Sequence, residues 1–248
     1  MAEERPFAAR RILVGMDASA ASRGALATAA ALAGRLGSEL TGLFVEDEDL
    51  LRLATLPFGA VVRPGGEEER LDPDAAERAL RALAAHAREE LERAAASHRV
   101  ACSFRVARGR VAREVLAAAE GVDLVVLGAA GHGRPSRGAV GDTARAAAVR
   151  ARTSVLLLAR GSSLGGGVVA VDDGSAAGAR ALGVARSLAP AARPPIVICA
   201  GDGADPALLD PIARLDPALV VLPSPAAAAP GGIVERLLGK GIAVLLAR

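Results

Sequence analysis

The residues of this chain best suited to hold a ligand are Gly128, Gly131 and Gly141, spaced Gly-x2-Gly-x9-Gly, with Asp142 and Thr143 directly after the last of them. The chemistry they suggest is anion binding. Glycines let main-chain N–H groups approach an anion without interference from a Cβ, and the first turn of a helix adds unpaired donors and a partial positive charge. The apolar run Asp123-Leu-Val-Val-Leu127 precedes the glycines and Ser154-Val-Leu-Leu-Leu158 follows them. That gives the order strand, loop, helix, strand that such a cradle requires.

Asp142 admits two readings. It is the N-cap of the helix it opens, accepting from that helix's own amides, or it is a carboxylate that faces the phosphate. At about 4 Å and an effective dielectric of about 20 the second arrangement costs roughly 4 kcal/mol. A bridging magnesium ion, or Arg134, Arg137 or Arg145, would offset it. Asp17, which closes the first apolar run, likewise reads as a turn residue or as a ligand contact, and Asp173 more strongly as a turn residue. His132, between two glycines, is an exposed loop imidazole or a phosphate contact.

The remaining titratable residues carry less. His86 and His98 fall on one helix and at its end, and the spacing of His and Cys does not suit a metal. Cys102 and Cys199 each lie inside an apolar run and are expected as two buried thiols in a reducing compartment. Glu67-Glu-Glu69 reads as a solvated charge cluster. No Ser-His-Asp or Cys-His arrangement is suggested by position, and the signatures of adenylate transfer are missing, so enzymatic activity is expected to reach at most a slow ATPase.

The 248 residues are 52% hydrophobic, mostly Ala, Leu and Val, with four Phe and no Trp or Tyr. Close packing must therefore come from small side chains. The same lack of aromatic platforms, with a net charge of only +2 and both signs mixed, argues against a nucleic-acid partner. No apolar run is long enough to span a bilayer, and the opening MAEERPFAARR lacks the apolar segment of a signal peptide. A cytoplasmic location and no membrane partner are the expectation.

Strand and helix alternate five times up to residue 160. The strands are expected at 11–15, 39–45, 100–106, 123–127 and 153–159, and the helices at 19–36, from Asp72-Pro73 onward, 111–120 and 143–150. In the long helix, Leu80, Leu83, Ala87, Leu91 and Ala94 form the expected buried stripe. The stretch between the second strand and that helix, with Pro57, Pro64 and Gly65-Gly66, reads as a lid or surface loop. This pattern calls for an open parallel five-stranded sheet with helices on both faces and a ligand outside the carboxyl ends of the strands.

A glycine-rich hinge at 161–167 precedes a partial repeat. Ile12-Leu-Val-Gly-Met-Asp-Ala-Ser19 returns as Val168-Val-Ala-Val-Asp-Asp-Gly-Ser175, and Thr153-Ser-Val-Leu-Leu-Leu-Ala-Arg160 as Gly241-Ile-Ala-Val-Leu-Leu-Ala-Arg248. Two domains are expected, 1–160 with the glycine loop and 167–248 as a shorter copy. Between Ala200 and Leu219 the copy has no room for both the long helix and the third strand. Its loop has become Pro223-Ser-Pro-Ala-Ala-Ala-Ala-Pro-Gly-Gly232, whose prolines lack the N–H a cradle needs.

ILVGMDAS, ARGRVAREVLAAAEGVDLVVLGAAGHG, the glycine loop and TSVLLLAR, in this order, resemble the universal stress proteins over residues 10–160, with a degenerate tandem copy after them. The resemblance implies a Rossmann-like α/β fold of the adenine-nucleotide alpha-hydrolase type and pairing through the last strand. In one branch it also implies ATP, with Mg when bound. Asp17 and Val45 would then lie against the adenosine, and Gly128, Gly131, Gly141, Asp142 and Thr143 around the phosphates. The family's Ser or Thr after the third glycine is here Asp142. The alternative is a nucleotide-free interaction module in which Asp142 blocks the phosphate site. An intrachain pseudo-dimer through strands 153–159 and 242–247, a homodimer of whole chains and a protein partner of unknown identity complete the expectations.

Overall fold

The computed structural model describes residues 7–56, 60–62, 68–70, 72–130, 140–200, 206–223 and 231–248. In chain order the first half consists of β1 (Arg11–Met16), α1 (Ala20–Leu36), β2 (Glu39–Asp47), α2 (Glu48–Thr55), β3 (Ala60–Val62), β4 (Glu68–Arg70), α3 (Pro73–His98), β5 (Cys102–Gly109), α4 (Val111–Ala119), β6 (Leu124–Gly128), α5 (Asp142–Arg150) and β7 (Ser154–Leu158). The second half follows with β8 (Val168–Asp172), α6 (Ala176–Leu188), β9 (Ile196–Cys199), α7 (Leu209–Arg214), β10 (Leu219–Pro223), α8 (Ile233–Gly239) and β11 (Ala243–Ala247).

Nine strands form one open sheet in the order β5-β2-β1-β6-β7-β11-β10-β8-β9. Every neighbouring pair is parallel except β7 with β11, where Leu156 faces Leu245 and Val155 faces Leu246 in antiparallel register. Both strands are buried along their whole length and apolar apart from Ser154, as central strands covered on both faces must be. The core has two layers, one on each face of the sheet. Each is continuous from the first half into the second: Val14, Leu156 and Leu245 belong to one, Leu13, Leu157 and Val244 to the other.

Helix starts follow the sequence. Ser19 caps α1, Asp72 caps α3 with Pro73 in its first turn, and Ser175 caps α6 by accepting from the amides of Ala177 and Gly178. The halves are also tied outside the sheet. The Arg35 guanidinium donates to the carbonyls of Ser187 and Leu188 at the end of α6, where the helix dipole favours a cation. Arg145 of α5 donates to Glu235 of α8 at 2.9 Å.

Several expectations need correction. The stretch after β2 is not all loop: Asp47 accepts from the amide of Asp49 and opens α2, so the acidic run Glu46–Asp49 spans the end of β2 and the start of α2. Beyond it β3 and β4 pair antiparallel, which places Glu68 and Glu69 in a strand; Glu67 lies outside the described residues. The buried stripe of α3 keeps Leu80, Ala87 and Leu91 of the expected set and has Ala84 and Ala95 where Leu83 and Ala94 were expected. Leu83 is 38% exposed. Cys102 and Cys199 are exposed, because β5 and β9 are the two edge strands. An apolar run at a sheet edge looks like a central strand in sequence but lacks the second neighbour that would cover it.

Candidate functional site

A cavity of about 560 Å³ opens at the carboxyl ends of β1, β2 and β6. Parallel order leads the strand ends there, and two neighbouring helices lie on opposite faces of the sheet on either side of β1. Asp17, Val45, Gly128, Gly141, Asp142 and Thr143 all border it. Gly131, with His132, Arg134 and Arg137, lies outside the described residues.

On the β6 side the wall is made by Gly128, Ala130 and the first turn of α5. Gly141 is the N-cap of α5, and among the described residues no side chain caps this helix start. Asp142 is thus the first helical residue, not the N-cap expected from the sequence, and its side chain is exposed. The physical reason is the close of the loop: the Gly141 amide donates to the Ala129 carbonyl at 2.8 Å and its carbonyl accepts from Arg145 at 2.9 Å. The carboxylate one residue later is exposed to solvent. Its repulsion toward an anion is consequently screened by water, nearer to about 1 kcal/mol than to about 4 kcal/mol.

Gly128 has a reason beyond anion approach. A Cβ there would sit 2.8 Å from the Ala21 Cβ and 2.9 Å from the Ala21 carbonyl carbon, so the absence of a side chain lets α1 start directly against the end of β6.

Asp17 closes a tight turn. Its Oδ1 accepts from the Ser19 amide at 2.9 Å, its own amide donates to the Ser22 hydroxyl at 3.1 Å, and Ala18 between them adopts φ 61°. That left-handed conformation is costly for alanine. Asp17 therefore is a turn residue and borders the cavity at once, together with Ser19 and Ser22. The equivalent turn of the second half has Gly174 at φ 74°, and Asp173 accepts from both the amide and the hydroxyl of Ser175. Those bonds hold the Asp173 carboxyl below the usual carboxylate range.

The far side of the cavity is apolar. Leu43, Phe44 and Val45 come from β2, Val111 and Val115 from α4, Leu50 from α2, and Leu80 and Leu83 from α3. Reading the sequence missed all of these except Val45. Beside them Arg108 of β5 donates to Glu46 at 2.9 Å and to Glu77 of α3 at 3.3 Å. The Glu46 hydrogen bond and charge raise the Arg108 pKa above its ordinary value, and the pairs tie the edge strand to the helix above it. Among the described residues no group of three or more His, Cys, Asp or Glu is placed to hold a metal ion, and no helix is long and apolar enough to cross a membrane.

An open, mostly parallel α/β sheet with a cavity at the strand ends, one wall of which is a helix start, defines the class. The family model "Universal stress protein family" matches residues 8–159, and the chain belongs to that family. A universal stress protein from Archaeoglobus fulgidus shares the fold with a TM-score of 0.68 at 14% identity, over 96% of this chain and 98% of its own. The universal stress protein UspA from Lactobacillus plantarum is 28% identical, with a TM-score of 0.46 over 62% of this chain and 98% of its own. A universal stress protein solved in complex with cAMP is 20% identical, with a TM-score of 0.42 over 61% of this chain and 97% of its own. Among curated proteins none matches.

Proposed function

We propose that this chain is a regulatory protein of universal stress type that binds ATP or a related adenine nucleotide in the cavity of its first half. The reading is carried by one observation: six residues singled out by spacing or resemblance, from four separate stretches of the chain, border a single cavity of about 560 Å³, a size ordinary for small-ligand sites. The donor set fits a nucleotide's polar end. Among the described residues no side chain caps the α5 start, which leaves the amides after Gly141 to phosphate oxygens. Ser19, Asp17 and Ser22 offer acceptors and hydroxyls to a ribose. A magnesium ion, when bound with the nucleotide, would screen phosphate charge beside Asp142 and Thr143.

The experiment is thermal unfolding with and without Mg-ATP. At a concentration about a hundredfold above Kd the folded state gains about 2.7 kcal/mol, which raises Tm by roughly 5–10 °C in a chain of this size. The second reading, an interaction module without nucleotide, is favoured by the carboxylate of Asp142 at the helix start. An unchanged Tm at millimolar Mg-ATP would establish it and end the nucleotide reading.

A further inference from the structure

The cavity has two ends of different chemistry, and they lie in a definite order along the sheet. The α5 start and Gly128 stand at β6; Asp17 and Val45 stand at the ends of β1 and β2. Past them, where α2 and α3 pack over β2 and β5, the cavity is bordered by Leu50, Leu80 and Leu83. Leu80 is buried at 7%, but Leu50 remains 37% and Leu83 38% exposed.

These two leucines are out of place as core residues. Leu83 stands at a helical position whose neighbours Leu80, Ala84 and Ala87 are buried, yet its side chain borders the open cavity. Leu50 is carried by a helix that buries only Ala54. Apolar surface that the chain leaves wet at a cavity wall is surface a ligand gains by covering. On the nucleotide reading, with phosphate at the α5 start and adenosine beside Asp17 and Val45, the part of the ligand nearest these leucines is the outer edge of the base.

We propose that the site is selective for adenine nucleotides carrying an apolar substituent on the base, with that substituent held between Leu50 of α2 and Leu80 and Leu83 of α3. The inference rests on the nucleotide reading above and adds to it the class of ligand.

The test compares ATP with N6-benzyl-ATP by isothermal titration, using the wild-type chain, Leu50→Asn and Leu83→Asn. The benzyl compound is expected to bind about tenfold tighter than ATP to the wild-type chain, as burial of a ring's worth of apolar surface gives. The ratio of the two affinities is expected to fall toward one in either variant. Because the ratio is taken within one protein sample, a general loss of fold lowers both affinities and leaves the comparison readable, and the wild-type ratio stands without any variant. ATP binding with no advantage for the benzyl compound overturns this proposal and leaves the nucleotide reading in place. An advantage that survives both substitutions overturns the assignment to the leucine wall. Binding of neither compound overturns the nucleotide reading and this inference with it.

Discussion

The two halves begin alike and end differently. Each opens on a buried parallel strand that runs into an Asp-x-Ser turn and a helix capped by the serine, Ser19 in one and Ser175 in the other. Each later has a Leu-Val-Val-Leu strand, β6 or β10. The residue after it is Gly128 in the first half and Pro223 in the second, so one strand end has an N–H and room for α1 while the other has a ring and no N–H. The helices that follow also start differently. The Gly141 amide is used by a loop carbonyl, leaving the α5 start without a side-chain cap among the described residues, whereas Glu235 reaches back to the Gly231 amide at the start of α8. Its other oxygen takes Arg145 from the first half. Hydrophobic pattern alone suffices to build the sheet twice; a cavity needs in addition particular small residues, unblocked amides, and the α2, α3 and β5 that stand over β2 and have no counterpart beside β9 among the described residues.

If the second half is scaffold to the first, the junction is where the comparison breaks most severely. Leu245→Ala removes a fully buried side chain opposite Leu156 and is expected to cost about 2–5 kcal/mol, in a single cooperative urea transition. Separate transitions for the two halves would show that they fold independently and that the continuous core layers do not couple them.

Gly128→Ala follows in size. A Cβ at 2.8 Å from Ala21 forces α1 and β6 apart and is expected to cost about 1–3 kcal/mol, read from the urea midpoint. A cost near zero would remove packing as the reason for glycine where the other half has proline.

Asp142→Ser tests the helix start. The exposed carboxylate lies in water-like surroundings, so its removal is expected to tighten ATP by about fivefold, the equivalent of about 1 kcal/mol. The gain should shrink as salt is raised. Equal affinity in the two proteins would acquit the carboxylate.

The smallest effect concerns the turn of the second half. The hydrogen bonds from Ser175 depress the Asp173 pKa in the folded chain, so this carboxylate stabilises the fold above its unfolded pKa and the contribution is lost as pH falls through the lower folded value. Asp173→Asn should therefore narrow the difference in Tm between pH 7 and about pH 3 relative to the wild-type chain. An unaltered pH dependence would show that the turn closes without the charge.

Much of the fold was legible because it rests on local rules. The apolar runs gave five parallel strands of the first half, Asp72-Pro73 marked the start of α3, and the repeat of Ile12–Ser19 at Val168–Ser175 announced a second copy. Where reading failed, it failed at a neighbour. Cys102 and Cys199 sit in short apolar stretches and are exposed because β5 and β9 are the edge strands of the sheet. Leu83 satisfies helical spacing, yet it is 38% exposed and borders the cavity. Asp142 looked like a cap, and the hydrogen bond of the Gly141 amide to Ala129 moved the helix start by one residue.

By itself the sequence determined which segments are strands and helices, their parallel order and the glycine-rich end of β6, because periodicity, caps and turn residues act over a few positions along the chain. Only the tertiary structure decided that Leu50, Leu80 and Leu83 meet Asp17 and Thr143 around one space, and which apolar residues stay wet. Those outcomes depend on which surfaces arrive beside one another, and residues from β1, α2, α3 and α5 are brought together by packing that no local pattern encodes.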